Sequence, residues 1–146
     1  MSRLQLALNV SNLEESIAFY SSFFQTGPAK VRPGYANFAV VDPPLKLVLF
    51  ENPAAAGSIN HLGVEVTSTE EVARASDYLT EQGFATDIEE KVTCCFAVQD
   101  KVWVDGPDES RWEVYTVLAD ASLQSGVAGD DSCCVRAPDS TATGCC

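Results

Sequence analysis

Histidine is nearly absent from this chain: of 146 residues, only His61 carries an imidazole. Any chemistry that needs one is tied to the stretch Ile59-Asn60-His61-Leu62-Gly63-Val64-Glu65-Val66. Basic residues are also scarce, 9 against 21 Asp and Glu, for a net charge of −12. Nucleic acid and anionic membranes are recognised by basic patches, so neither is expected as a partner, and the charge reads first as solubility. No run of 18 apolar residues occurs, and Met1-Ser2-Arg3 leads into a strand-like alternation without an apolar signal region. A soluble, cytoplasmic protein is expected. Zinc-type spacing such as C-x-x-C is missing as well. The six cysteines form three adjacent pairs instead, Cys94-Cys95, Cys133-Cys134 and Cys145-Cys146. Neighbouring Cα atoms lie about 3.8 Å apart, short of the ~4.4–6.8 Å that a disulfide spans, so a bridge within a pair is strained. Thiols that avoid bonding to each other suit a soft, thiophilic ligand.

What is present is a repeat. Gln5-Leu6-Ala7-Leu8-Asn9-Val10-Ser11 lies over His61-Leu62-Gly63-Val64-Glu65-Val66-Thr67, with Leu6/Leu62 and Val10/Val66 identical. The same offset pairs Glu14-Glu15 with Glu70-Glu71. Two copies are too few for a solenoid and imply a pseudo-symmetric pair. The length favours one domain, and 46% apolar residues is ordinary for a globular protein. In residues 4–10, Leu4, Leu6, Leu8 and Val10 alternate with Gln5, Ala7 and Asn9, which predicts a strand. Ser11-Asn12-Leu13-Glu14 reads as a capping box before a helix carrying Leu13, Ile17, Tyr20 and Phe24, and Gly27-Pro28 ends it. Strands are expected at residues 30–32, 35–41 and 45–51. The second copy repeats the order, with a capping box at Thr67-Ser68-Thr69-Glu70 and strands at 84–88, 101–104 and 111–117. It is longer by about ten residues, and the excess, near 89–99, carries Cys94-Cys95. The expected fold is α+β: two βαβββ modules with a mixed, mostly antiparallel sheet. Module 1 covers about 3–51, a linker 52–58 and module 2 about 59–118, as one domain over 1–118. Residues 119–146 are expected to be a disordered tail.

Aligning Leu45-Lys46-Leu47-Val48-Leu49 with Arg111-Trp112-Glu113-Val114-Tyr115 sets Glu113 against Leu47. Gln5 and His61 occupy equivalent places on the opening strands. Gln5, His61 and Glu113 are thus three candidate metal ligands, O, N and O, and Leu47 leaves the fourth symmetric place without a donor. Such a site keeps open positions, in the manner of the two-histidine-one-carboxylate triad of non-haem iron oxygenases with glutamine replacing one histidine. The plain alternative is a lone histidine satisfied at a strand end. Tyr35, Phe38, Phe96 and Trp103 could wall a pocket or be ordinary core.

With its ligands on first and last strands, the βαβββ pair resembles the vicinal oxygen chelate superfamily. Within it the chain is similar to the organoarsenical carbon–arsenic lyases. The resemblance runs from about Leu4 to Val117. It is carried by Lys30-Val31-Arg32-Pro33-Gly34-Tyr35-Ala36-Asn37-Phe38-Ala39, Asn60-His61-Leu62-Gly63-Val64-Glu65 and above all Thr93-Cys94-Cys95-Phe96-Ala97-Val98-Gln99-Asp100-Lys101-Val102-Trp103-Val104. The resemblance implies an Fe(II)-dependent enzyme that uses dioxygen to cleave the C–As bond of trivalent organoarsenicals such as methylarsenite, releasing arsenite. It implies Gln5, His61 and Glu113 as metal ligands and Cys94 and Cys95 as the arsenic-binding residues. Two adjacent thiolates chelate As(III) and leave its carbon substituent pointing outward. Cys133, Cys134, Cys145 and Cys146 could capture arsenic and deliver it.

Two rival readings stand beside this one. A non-catalytic As(III)- or Cd(II)-binding scavenger explains the thiols but gives Gln5, His61 and Glu113 no use. A glutathione-dependent lyase or isomerase of the same superfamily explains the metal site but not Cys94-Cys95. A monomer and a homodimer are both compatible with the repeat.

Overall fold

The computed structural model of the chain describes residues 2–107 and 110–122. The expected tail and its pairs Cys133-Cys134 and Cys145-Cys146 lie outside the described residues. The first module runs β1 (Arg3–Val10), α1 (Leu13–Phe24), β2 (Lys30–Arg32), β3 (Tyr35–Val40) and β4 (Leu45–Glu51). The second runs β5 (Ile59–Glu65), α2 (Thr69–Glu81), β6 (Thr86–Cys94), β7 (Ala97–Asp105) and β8 (Arg111–Asp120). The linker contains a short 3-10 helix at Pro53–Ala55. All eight strands share one mixed sheet in the order β2-β3-β4-β1-β5-β8-β7-β6. That order is two βαβββ modules placed back to back, so the repeat in the sequence is a repeat in space.

The modules join where β1 runs antiparallel to β5, and Leu6 pairs with Leu62, its own repeat equivalent. The pseudo-two-fold axis therefore passes between those two residues. Within each module the opening strand lies parallel to the closing one, β1 with β4 and β5 with β8.

The two faces of the sheet carry different cores. Leu6, Leu8, Val10, Ala36, Phe38, Leu47 and Leu49 pack with Leu13, Ile17, Tyr20 and Phe24 of α1. The other face gathers Ala7, Tyr35, Val48, Phe50, Cys94 and Phe96. Phe38 belongs to the helix-covered face, so it is core and no pocket wall; Tyr35 and Phe96 are on the inner face. The sheet curls until its ends meet: Lys30 Nζ on β2 donates 2.9 Å to the Phe96 carbonyl in the β6–β7 turn and pairs with Asp120 of β8.

Three local expectations shift by small steps. Each helix is capped one residue later than its box suggested. Asn12 accepts from the Glu15 N–H and Ser68 from the Glu71 N–H, because those side chains, rather than Ser11 and Thr67, stand where the backbone enters the helix. The extra residues of the second module are no separate insertion; they lengthen β6 and β7 into a hairpin whose turn is Cys95-Phe96. Long β7 gives β8 a partner through Asp120, paired with Ala97, so the sheet extends past the expected boundary at 118. No described helix is long and apolar enough to cross a membrane.

Candidate metal centre

The inner face of β1 and β5 holds a diagonal pair. Ala7 stands opposite His61, and Gly63 stands opposite Gln5. Diagonal neighbours in an antiparallel pair are ~7–8 Å apart, within reach of long side chains. Because the residue facing each is small, Gln5 and His61 lean together over the axis, with 3.1 Å between Gln5 Nε2 and His61 Nε2. Gly63 also makes room for β8: a Cβ there would lie 3.0 Å from Glu113 Cγ and 3.4 Å from Gln5 Nε2. Glu113, paired with Gly63 on β8, thus brings Oε1 to 2.6 Å from Gln5 Nε2 and 3.3 Å from His61 Nε2. All three side chains are buried, with Gln5 5%, His61 4% and Glu113 2% exposed.

One register was misread in the sequence. Lys46 pairs with Gln5 and Val48 with Ala7, whereas Glu113 pairs with Gly63, the repeat equivalent of Ala7. The structural counterpart of Glu113 is therefore Val48 and not Leu47. A slip of one residue in a strand exchanges its faces, and Leu47 is packed under α1. The consequence for the site is unchanged, because valine cannot donate a lone pair either.

The chemistry of this donor set fits a cation. Among the described residues no three His, Cys, Asp or Glu side chains are grouped to hold an ion, so the amide of Gln5 is essential to the count. Gln5 directs Nε2 at the imidazole and carboxylate and Oε1 at the Tyr115 hydroxyl, 2.6 Å away. Rotating that terminal amide by half a turn would exchange its ends. Tyr115 could then accept from Nε2 while donating to Glu65 Oε2, which already lies 2.8 Å away. An amide oxygen, an imidazole nitrogen and a carboxylate oxygen would then converge in a buried space, a set of lone pairs that a cation satisfies together.

Lys101, fully buried on β7, donates 2.8 Å to Glu113 Oε2. Burial alone would raise the Glu113 pKa, but the Lys101 ammonium beside it pulls the other way, and the carboxylate is held ionised well below its usual range. Burial likewise pushes Lys101 down, and Glu113 with Cys95 more than reverses it. Burial beside Glu65 and Glu113 raises Tyr115, keeping it a neutral hydroxyl. Sequence reasoning passed over Lys101, Tyr115 and Gly63. Their signal was present as alternation along β5, β7 and β8, but a buried lysine is recognised only through its partner.

The adjacent cysteines lie on the same inner face. Cys94 is fully buried in the cluster with Ala7, Tyr35, Phe50 and Phe96. Its Sγ is 3.4 Å from Cys95 Sγ. Cys95 is a free cysteine and Cys94 is disulfide-bonded, so capture of arsenic by both sulfurs requires reduction of Cys94. Cys95 and Phe96 both adopt left-handed backbone, φ +51 and +61, the hairpin-turn conformation that usually selects Asn and Gly. Tyr35 and Arg32 contact the Phe96 ring at 5.1 and 5.8 Å, and Trp103 packs edge-on against His61 at 5.4 Å. Gln99 Oε1 is buried without a hydrogen-bond partner among the described residues, and its amide nitrogen lies 3.3 Å from the Cys94 carbonyl.

The chain is 56% identical over 147 residues to the cadmium-induced protein CadI of Mycobacterium tuberculosis, covering 100% of this chain and 93% of that one. It is 54% identical over 145 residues to a trivalent organoarsenical cleaving enzyme of Thermomonospora curvata, covering 99% and 95%. Among solved structures, homoprotocatechuate 2,3-dioxygenase from Brevibacterium fuscum superposes with a TM-score of 0.59 at 20% identity, over 82% of this chain and 37% of that one. Residues 3–114 match the model of the Glyoxalase/Bleomycin resistance protein/Dioxygenase superfamily. The repeated βαβββ module, the paired opening strands and these matches agree: the chain belongs to the glyoxalase/bleomycin resistance protein/dioxygenase superfamily, the vicinal oxygen chelate fold.

Proposed function

We propose that this protein is an Fe(II)- and dioxygen-dependent carbon–arsenic lyase that converts trivalent organoarsenicals such as methylarsenite to arsenite. What carries the reading is one juxtaposition. Gln5, His61 and Glu113, from three strands, meet on the inner face that also buries Cys94. The name of the relative from Thermomonospora curvata supports the choice of substrate.

In this reading Gln5, His61 and Glu113 hold the metal, which when bound supplies the activation of dioxygen. The chain's own residues do the rest. The reduced Cys94-Cys95 pair chelates arsenic and turns its organic substituent away from the sulfurs. Fixing arsenic in this way positions the carbon, and positioning alone removes much of a barrier. Tyr35, Phe50 and Phe96 around Cys94 keep water out. Lys101 keeps Glu113 ionised and therefore a ligand.

The test is incubation of reduced, Fe(II)-loaded protein with methylarsenite in air and under nitrogen, with arsenite measured by chromatography. Arsenite is expected in air only. Gln5→Ala, His61→Ala and Glu113→Ala should stop turnover while arsenic still binds; Cys94→Ser and Cys95→Ser should lose arsenic binding and keep the metal. Tight arsenic binding without product in the native protein would favour a scavenger. Activity restricted to a glutathione adduct would favour a lyase or isomerase of the other kind.

A further inference from the structure

β5 contains an extra residue. Ala7 pairs with His61, but Leu8 pairs with Ile59, so Asn60 is bulged out of the ladder. In a regular strand Asn60 and His61 would point to opposite faces. The bulge re-aims Asn60 so that its Oδ1 lies 2.8 Å from His61 Nδ1.

A chain of hydrogen bonds with one permitted direction leads to that contact. The Ala55 backbone carbonyl can only accept, so the Ser58 hydroxyl donates to it, at 2.6 Å. With its hydrogen used, Ser58 Oγ accepts from Asn9 Nδ2 at 3.0 Å. The Asn9 amide is then oriented, and its Oδ1 accepts from Asn60 Nδ2 at 3.1 Å. Asn60 is oriented in turn, and its Oδ1 is left facing His61 Nδ1 as an acceptor. An acceptor there requires a hydrogen on Nδ1.

We propose that Asn60 is a positioning residue that fixes His61 as the Nδ1–H tautomer, its polarity inherited through Asn9 and Ser58 from a carbonyl of the inter-module linker. The bare Nε2 is thereby turned toward Gln5 and Glu113. The inference rests on the proposed metal centre for its purpose, though its first measurement needs neither iron nor an arsenical. Partners on the distal nitrogen of a metal-facing histidine typically alter metal affinity ~10–100-fold.

The experiment uses the full chain, metal-free, with the histidine ring labelled with ¹⁵N, at a pH where the ring is neutral. His61 is the only histidine, so its ring-nitrogen signals have no other source. The native protein and Asn60→Asp, which keeps an acceptor, should both show a hydrogen-bearing Nδ1 and a bare Nε2. Asn60→Leu should show mixed tautomers and should bind Co(II), followed by its visible absorption, about 10–100-fold more weakly. Asn60→Asp should stay within a few-fold of native. A native ring with its hydrogen on Nε2 overturns the proposal, and so does an Asn60→Leu protein with native tautomer and Co(II) affinity. If Asn60→Leu does not fold, the native and Asn60→Asp spectra decide. A native Nδ1–H ring in a protein that never cleaves C–As bonds would sink the reaction proposed above and leave this assignment in place.

Discussion

Gly63 matters for the volume it leaves empty. A methyl group there meets Glu113 Cγ at 3.0 Å and the Glu113 carbonyl at 3.2 Å, so Gly63→Ala must push β8 or the carboxylate aside. Displacement near 1 Å can cost ~10²-fold in a positioned reaction. Gly63→Ala should therefore lose about that much turnover and bind Co(II) more weakly, measured by kinetics and titration calorimetry, while remaining folded by circular dichroism. Lys101 is held at the opposite side of the same carboxylate. Removing one member of a buried ion pair typically costs ~3–5 kcal/mol, because the other charge is left without compensation. Lys101→Met should lose that much stability in urea. Adding Glu113→Gln should cost less than the sum of the two single changes, since the second removes the stranded charge. Additive losses would mean that the two groups are not coupled.

The β6–β7 hairpin depends on an element from the other module. Its turn has two consecutive left-handed residues, neither of them glycine, so local preference does not hold it. Lys30 on β2 does, through the Phe96 carbonyl, and Arg32 adds a contact over the Phe96 ring. A hydrogen bond to a charged group contributes ~1.5–3 kcal/mol. Lys30→Met should loosen the turn, so that a trivalent phenylarsenical titrated into reduced protein binds several-fold more weakly, with Co(II) affinity unchanged. Equal weakening of both ligands would point to general unfolding.

For the molecule as a whole, Glu65 is a charged tie across the module boundary that reaches three strands at once. From β5 it reaches Arg3 of β1 at 3.0 Å, Lys46 of β4 at 3.3 Å and Tyr115 of β8 at 2.8 Å. Burial would raise its pKa; Lys46, Tyr115 and Arg3 outweigh that and lower it from 4.5. A folded-state pKa below the unfolded one stabilises the fold above the unfolded value, and that stability is lost as pH falls through the folded value. The native protein should lose more urea stability between pH 7 and pH 3 than Glu65→Gln. Parallel losses in the two proteins would show that Glu65 does not link folding to protons.

Much of this was legible in the order of residues. The 56-residue offset that lays Leu6 on Leu62 announced the paired modules, because a duplicated apolar alternation has to be buried twice in the same way. Gln5 and His61 fell on equivalent strand positions for the same reason. What the alternation could not reveal is which neighbours share a face once strands from distant parts of the chain are side by side. The register that replaced Leu47 by Val48, the buried Lys101 under Glu113 and the turn carrying Cys95 and Phe96 depend on pairings between β4 and β1, β7 and β8, and β6 and β7. So does the bulge that turns Asn60 onto the imidazole. Local sequence sets the period of a strand; hydrogen-bond register and the closure of the sheet decide what each side chain finally meets.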